Sequence, residues 1–151
     1  MVTNPSTPAF RQPTAVELGF NRLFGLLVGL GFGLKHNYLL QVRGRKSGQL
    51  YSTPINLLET GGKRYLVAPR GRTQWVRNAE AAGEVTLKKG RSRQTYGLWP
   101  VADSEKPALL KAYLDSFKTT VQRYFPVPAG SAAERFASIA ANYPVFELTQ
   151  K

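Results

Sequence analysis

The chain has 151 residues, 42% of them hydrophobic, and a formal net charge of +12, which bounds it to one domain with a real core and points to an anionic partner. It has no cysteine and a single histidine, His36, which excludes disulfides, thiol nucleophiles, thiolate or multi-histidine metal sites, and argues against a Ser-His-Asp triad. With only 9 acidic residues, paired-carboxylate catalysis also lacks material, so a reaction on this chain calls for a cofactor.

Residues 1–13 hold Pro5, Pro8 and Pro13 among small polar residues and read as a flexible tail. Thr14 and Glu17 form a capping box. Phe20, Leu23, Phe24, Leu27, Leu30 and Leu34 then recur at steps of three and four, which predicts an apolar helix over 14–35. Its uninterrupted apolar stretch, Leu23–Leu34, is 12 residues long, too short to span a bilayer. It suits packing on the core or on a second copy in a homodimer, or an in-plane contact with an anionic membrane surface.

Residues 36–151 read as one domain. Tyr38–Arg43 and Tyr51–Glu59 are predicted strands, and Gly61-Gly62 turns the chain into a third, Arg64–Ala68. Thr73 caps a short helix that runs to Ala82 and ends at Gly83. Glu84–Lys88 and Gln94–Val101 form a further pair around Lys89-Gly90-Arg91. A longer helix starts at Asp103 or Ser104 and carries Leu109, Leu110, Tyr113, Leu114 and Phe117 on one side. A second follows over about Ala132 to Ala141, and Tyr143–Leu148 alternates as a closing strand. The predicted class is α+β, mainly β: a small antiparallel barrel with helices outside.

Charge is concentrated. Lys35 to Arg93 carries 13 Lys/Arg and three Glu, or +10, whereas the other 92 residues carry 8 cations and 6 acids, or +2. Inside that block lies Gly44-Arg45-Lys46-Ser47-Gly48-Gln49, directly after the first predicted strand. Glycines let a turn expose its N–H groups, and the cations beside them suit a phosphate or carboxylate. A strand follows the turn, not a helix, so it is no nucleotide P-loop. No helix-turn-helix, zinc finger or RNA-binding signature appears, so nucleic acid is not an expected partner.

The order of motifs resembles the deazaflavin-dependent nitroreductase family of split β-barrel oxidoreductases. Four pieces carry the resemblance: the Gly44–Gln49 turn with Thr53-Pro54; Tyr65-Leu66-Val67-Ala68 running into a basic glycine loop; Trp75-Val76-Arg77-Asn78 followed by Glu84-Val85-Thr86-Leu87; and Tyr143-Pro144-Val145-Phe146-Glu147-Leu148. The match covers roughly residues 35–149. It implies a split antiparallel β-barrel, similar to flavin reductases and pyridoxamine-phosphate oxidases, with peripheral helices and the apolar N-terminal helix.

It also implies coenzyme F-420, a strongly anionic deazaflavin, with flavin mononucleotide or no cofactor as the alternatives. Carried over by position, Arg45, Lys46 and Ser47 would contact its phosphate or tail. Gly48, Arg70 and Arg72 would belong to the same cradle. Thr53 and Pro54 would lie along the ring or linker, Ala68 would also bind the cofactor, and Trp75 and Asn78 would shape the pocket wall. Pro69-Arg70-Gly71-Arg72 replaces the family's Ser-Lys-Gly-Gly, and Val76 and Ala79 stand where the family has tyrosine and leucine, which reshapes the pocket beside the ring. Tyr113, Tyr124 and Tyr143 are the candidate proton donors or acceptor-lining groups.

The implied function is hydride transfer from reduced coenzyme to a hydrophobic, electron-poor acceptor: a quinone, an enone or a nitro compound. The rival is a membrane-associated lipid- or quinone-binding barrel without turnover. The expected place is the cytoplasm, peripheral at the inner face of the cell membrane. No metal site is expected.

Overall fold

The computed structural model describes residues 36–151. The expected tail and apolar helix over 1–35 lie outside the described residues. The elements are β1 (Asn37–Arg43), β2 (Leu50–Asn56), β3 (Leu58–Thr60), β4 (Lys63–Val67), α1 (Gln74–Ala82), β5 (Glu84–Lys89), β6 (Ser92–Pro100), α2 (Lys106–Val121) and β7 (Val145–Gln150). Short 3-10 turns flank α2 at Asp103–Glu105 and Gln122–Tyr124, and a longer 3-10 run covers Ala133–Asn142.

All seven strands join one antiparallel sheet in the order β2-β1-β5-β6-β7-β4-β3. The two outermost strands, β2 and β3, are neighbours in sequence, joined by Leu57 alone. The sheet therefore curls until its edges approach, which is the split-barrel geometry. At Leu57 the chain leaves the β1 ladder for β4. Its N–H turns to the His36 carbonyl at 2.8 Å, and its side chain is fully buried. This corner divides the single strand expected over Tyr51–Glu59.

Strand alternation builds two cores. On the inner face lie Leu40 and Val42 of β1, Leu66 of β4, Val85 and Leu87 of β5, Tyr96 of β6, and Phe146 and Leu148 of β7. Val76 and Ala79 of α1 close one end of that interior, both fully buried. The neighbouring residues Val67 and Val145 point the other way, into a second core with Leu110, Tyr113, Leu114 and Val121 of α2, and Phe125, Phe136 and Tyr143. Among the described residues the helices cover the β3, β4 and β7 side of the outer face.

The segment expected as an α-helix over Ala132–Ala141 is a 3-10 run because its inward residues recur every third position. Ala133, Phe136, Ile139 and Asn142 are covered at the period at which 3-10 side chains eclipse, and Ala140 beside them is buried as well. The helix after Asp103 was expected from its apolar side. Its buried cation was not: Lys106 pairs with Asp103 at 2.7 Å and donates to the Ala140 carbonyl at 3.3 Å.

Pro54 sits inside β2 without costing a ladder bond. Gly44 N donates to the Gln49 carbonyl at 2.7 Å, so Gly44 and Gln49 form a hydrogen-bonded pair. Such pairs alternate along an antiparallel ladder. The Pro54↔Leu39 pair falls on the non-bonded step, so the nitrogen of Pro54 faces away from β1.

Candidate functional site

The β1–β2 connection is the Gly44–Gln49 turn. Gly48 adopts φ +74°, and its N–H closes the turn on the Gly44 carbonyl at 3.0 Å. Gly44 allows the close approach of Tyr51: a Cβ there would meet the ring at 2.6 Å and Ser47 Oγ at 2.8 Å. Ser47 is occupied within the turn, accepting from Gln49 N at 3.2 Å and lying 3.3 Å from Tyr51 Oη. Arg45 and Lys46 are exposed.

The turn rests on α1. Asn78 Oδ1 accepts from both Arg45 N at 3.1 Å and Arg45 Nη1 at 2.8 Å, and Gln74 Oε1 accepts from the same Nη1 at 2.9 Å. Gln74 and Asn78 are four apart and so share one helix face. Asn78 is buried, and its neighbours Val76 and Ala79 are locked in the barrel core, so the clamp is fixed to rigid structure. The expectation that Asn78 forms a pocket wall is refined by this contact: its side chain fastens the turn. Gln74 was missed in the sequence. Its signal is the i, i+4 spacing to Asn78, meaningful only once Arg45 is known to be the partner.

The electrostatics favour an anion. Neutral amides orient the Arg45 guanidinium, and no carboxylate among the described residues pairs with it. It lies at the first turn of α1, which carries no acidic residue. A helix N-terminus bears partial positive charge, so a cation placed there is unfavourable unless an anion shares the site. Thr73 precedes α1 as expected, but its hydroxyl makes no cap bond and is buried without a partner. These features fit an anionic cofactor.

The other predicted residues divide. The Ala68–Arg72 loop leads directly into α1. Ala68 is buried, with its N–H on the Pro144 carbonyl at 2.9 Å, and Gly71 takes φ +82°. Arg70 is half-buried, and Arg72 is exposed and ion-paired with Glu80. Trp75 packs half-buried against the inner core. Thr53 shares the inner face with Leu40, its ladder partner, whereas Pro54 pairs with Leu39 on the outer face. Alternation therefore prevents both from lying along one ring. Val76 and Ala79 are buried core residues, so the family departures there bear on barrel packing.

The three tyrosines belong to the second core. Tyr143 is fully buried, stacks on Phe125 with centroids 4.5 Å apart, and donates to the Tyr124 carbonyl at 2.5 Å. Tyr113 is buried edge-on to Phe117. Burial pushes both phenols well above their ordinary value, so they hold their protons. Tyr124 is half-buried, and its hydroxyl accepts from Arg123 at 2.7 Å. None of the three is joined to the Arg45 clamp.

Among the described residues no group of metal-ligating side chains is found, and no helix is long and apolar enough to cross a membrane. No curated protein matches the sequence. Solved structures match at the level of fold. A structure of an F420-H2-dependent reductase is 19% identical, with TM-score 0.52 over 76% of this chain and 95% of the other. A domain-swapped dimer is 16% identical, with TM-score 0.54 over 90% of this chain and all of the other, 100%. A pyridoxamine 5'-phosphate oxidase candidate from Listeria innocua is 10% identical, with TM-score 0.51 over 83% and 90%. These confirm the split β-barrel. The family model described as F420H(2)-dependent quinone reductase matches residues 19–127, which takes in the Arg45 turn, the basic loop, α1 and most of the barrel. The chain therefore belongs to the F-420-dependent quinone reductase family, an oxidoreductase that uses the reduced deazaflavin.

Proposed function

We propose that the protein reduces a hydrophobic, electron-poor acceptor, a quinone ahead of an enone or a nitro compound, with the anionic portion of the coenzyme held at the Arg45 turn. The observation that carries this reading is the clamp itself: a guanidinium oriented by the Asn78 and Gln74 amides at a helix N-terminus without a neutralising carboxylate. When bound, the deazaflavin supplies the hydride, and the chain supplies position and charge. Arg45 and Lys46 would hold the phosphate or carboxylates, with Arg70 and Arg72 on the adjoining loop. Thr53 and Trp75 would flank the ring from the inner face. Tyr113 and Tyr143 serve packing in this reading. Tyr124 packs on the same outer core, across the sheet from Thr53 and Trp75, and is given no role at the acceptor.

The test is a fluorescence titration with oxidised coenzyme. Asn78→Asp preserves shape and acceptor but neutralises Arg45. Loss of a charge-assisted contact is worth about 1.5–3 kcal/mol, so affinity should drop at least about tenfold. Wild-type affinity in the variant, or no wild-type binding at tens of micromolar coenzyme, overturns the assignment. Turnover of a soluble quinone against an enone and a nitroarene then ranks the acceptors.

A further inference from the structure

We infer that Tyr51 is a stacking platform for the flat ring of the anionic cofactor. The inference rests on the reading that Arg45 anchors that cofactor by its anionic portion. Tyr51 is 47% exposed, yet it is held in place. One edge of its ring lies over Gly44, where a Cβ would meet Cε2 at 2.6 Å and Cδ2 at 3.3 Å. Its hydroxyl lies 3.3 Å from Ser47 Oγ and reaches Gln49 Oε1 at 3.5 Å. The missing side chain of Gly44 thus leaves the room that the ring fills, and two polar side chains of the same turn hold the phenol. Exposed apolar side chains are ordinary when scattered singly. Among the described residues the large ones are Leu50, Tyr51 and Trp99. Trp99 stands on β6, with its indole N–H donating to Thr149 Oγ1 at 2.8 Å. Leu50 and Tyr51 instead follow directly on the turn that carries Arg45.

The ladder sets which face the ring serves. Tyr51 pairs with Val42 and Thr53 with Leu40, both residues of the inner core. Tyr51 and Thr53 therefore share the inner face of β2, about 7 Å apart along the strand. Leu50 alternates to the other face. Because β2 is the outermost strand, Tyr51 stands at the rim of the sheet. Gly44, which its ring covers, directly precedes Arg45 in the chain. Along β2 the order is turn, Tyr51, Thr53, so a ligand anchored at Arg45 and directed toward Thr53 passes the phenol ring. A tyrosine fixed in this way offers a large contact at little conformational cost, and its π-face favours a flat aromatic system. A guanidinium left unneutralised beside a held, uncovered ring fits an aromatic ligand with an anionic tail. A bare phosphate or a chain of carboxylates would use the guanidinium and leave the ring unmet.

The test is a fluorescence titration of the full chain with oxidised F-420, repeated with flavin mononucleotide as a second flat, anionic probe. The proteins are wild type, Tyr51→Phe, Tyr51→Leu and Asn78→Asp, each checked for folding by thermal unfolding without ligand. Tyr51→Phe keeps the ring and drops the hydroxyl contacts. Tyr51→Leu keeps apolar bulk over Gly44 and drops the ring. Affinity of Tyr51→Phe should stay within about twofold of wild type, as for an exposed substitution. Affinity of Tyr51→Leu should fall about tenfold, the scale of one lost aromatic stack. Wild-type affinity in Tyr51→Leu overturns the inference. An equal loss in Tyr51→Phe and Tyr51→Leu also overturns it, because the hydroxyl's hold on the turn is then the cause. In both cases a weakened Asn78→Asp leaves the coenzyme assignment standing. Binding of flavin mononucleotide alone, lost in Tyr51→Leu, keeps the platform and sinks the coenzyme assignment. If wild type binds neither probe, both fall.

Discussion

Asn78 and Glu80 stand two residues apart on α1 and treat an arginine in opposite ways. Glu80 neutralises Arg72, whereas Asn78 fixes Arg45 and leaves its charge in place. A carboxylate would hold the side chain as firmly but cancel the field that an incoming anion needs. Tyr143 shows the same economy in the second core, where one hydroxyl serves one carbonyl. Its pKa is raised by burial above the unfolded value of 10.0. A raised pKa contributes stability that is complete below the unfolded value and is lost as pH climbs through it. Stability should therefore fall above pH 10, where the unfolded chain gains phenolate that the native core refuses. Tyr143→Phe removes part of that slope and leaves the Tyr124 carbonyl unmet, at a cost of about 1–2 kcal/mol. Urea unfolding at neutral pH and above pH 10 measures both. An unchanged alkaline slope would show that the phenol is not the titrating group.

Among the elements, the β1–β2 hairpin does most to place the site, and its backbone carries the demand. Gly48 lies in the left-handed region, so Gly48→Ala should cost about 1 kcal/mol in thermal unfolding and weaken coenzyme binding by misplacing Arg45. Equal melting temperatures would show that the turn relaxes freely. This hairpin was legible in the sequence because its glycines and flanking apolar alternation are local signals. So were α1, with Gly83 at φ +74°, and the β5–β6 pair. The break at Leu57 was not, because a corner between two ladders leaves no mark on the alternation that surrounds it. Nor was the role of Asn78. Its partner lies 33 residues earlier, and the contact exists only after α1 has docked on the barrel. The tyrosines Tyr113 and Tyr143 carry the same side chain as a proton donor. Only burial and topology place them in the helical core.

Across the whole molecule, β4 and β7 form a wall shared by two cores: Leu66 and Phe146 face inward, Val67 and Val145 outward. The inner core carries the clamp, and the outer core carries much of the remaining buried area. Damage to the outer core should therefore lower stability without touching the site. Phe136→Leu, at a fully buried position, is expected to cost about 1–2 kcal/mol in chemical denaturation while coenzyme affinity stays within about twofold. A parallel loss of affinity would show that the wall transmits strain. The sheet has a further property at its rim. Where β2 is the outermost strand, the position turned outward at its centre is Pro54, which offers no amide hydrogen. A foreign strand arriving at that margin meets a gap in the donor row, and the growth of a continuous intermolecular sheet halts there. At this β2 margin, association of two copies must then proceed through faces or exchanged segments, and one imino acid guards that edge against fibrous stacking.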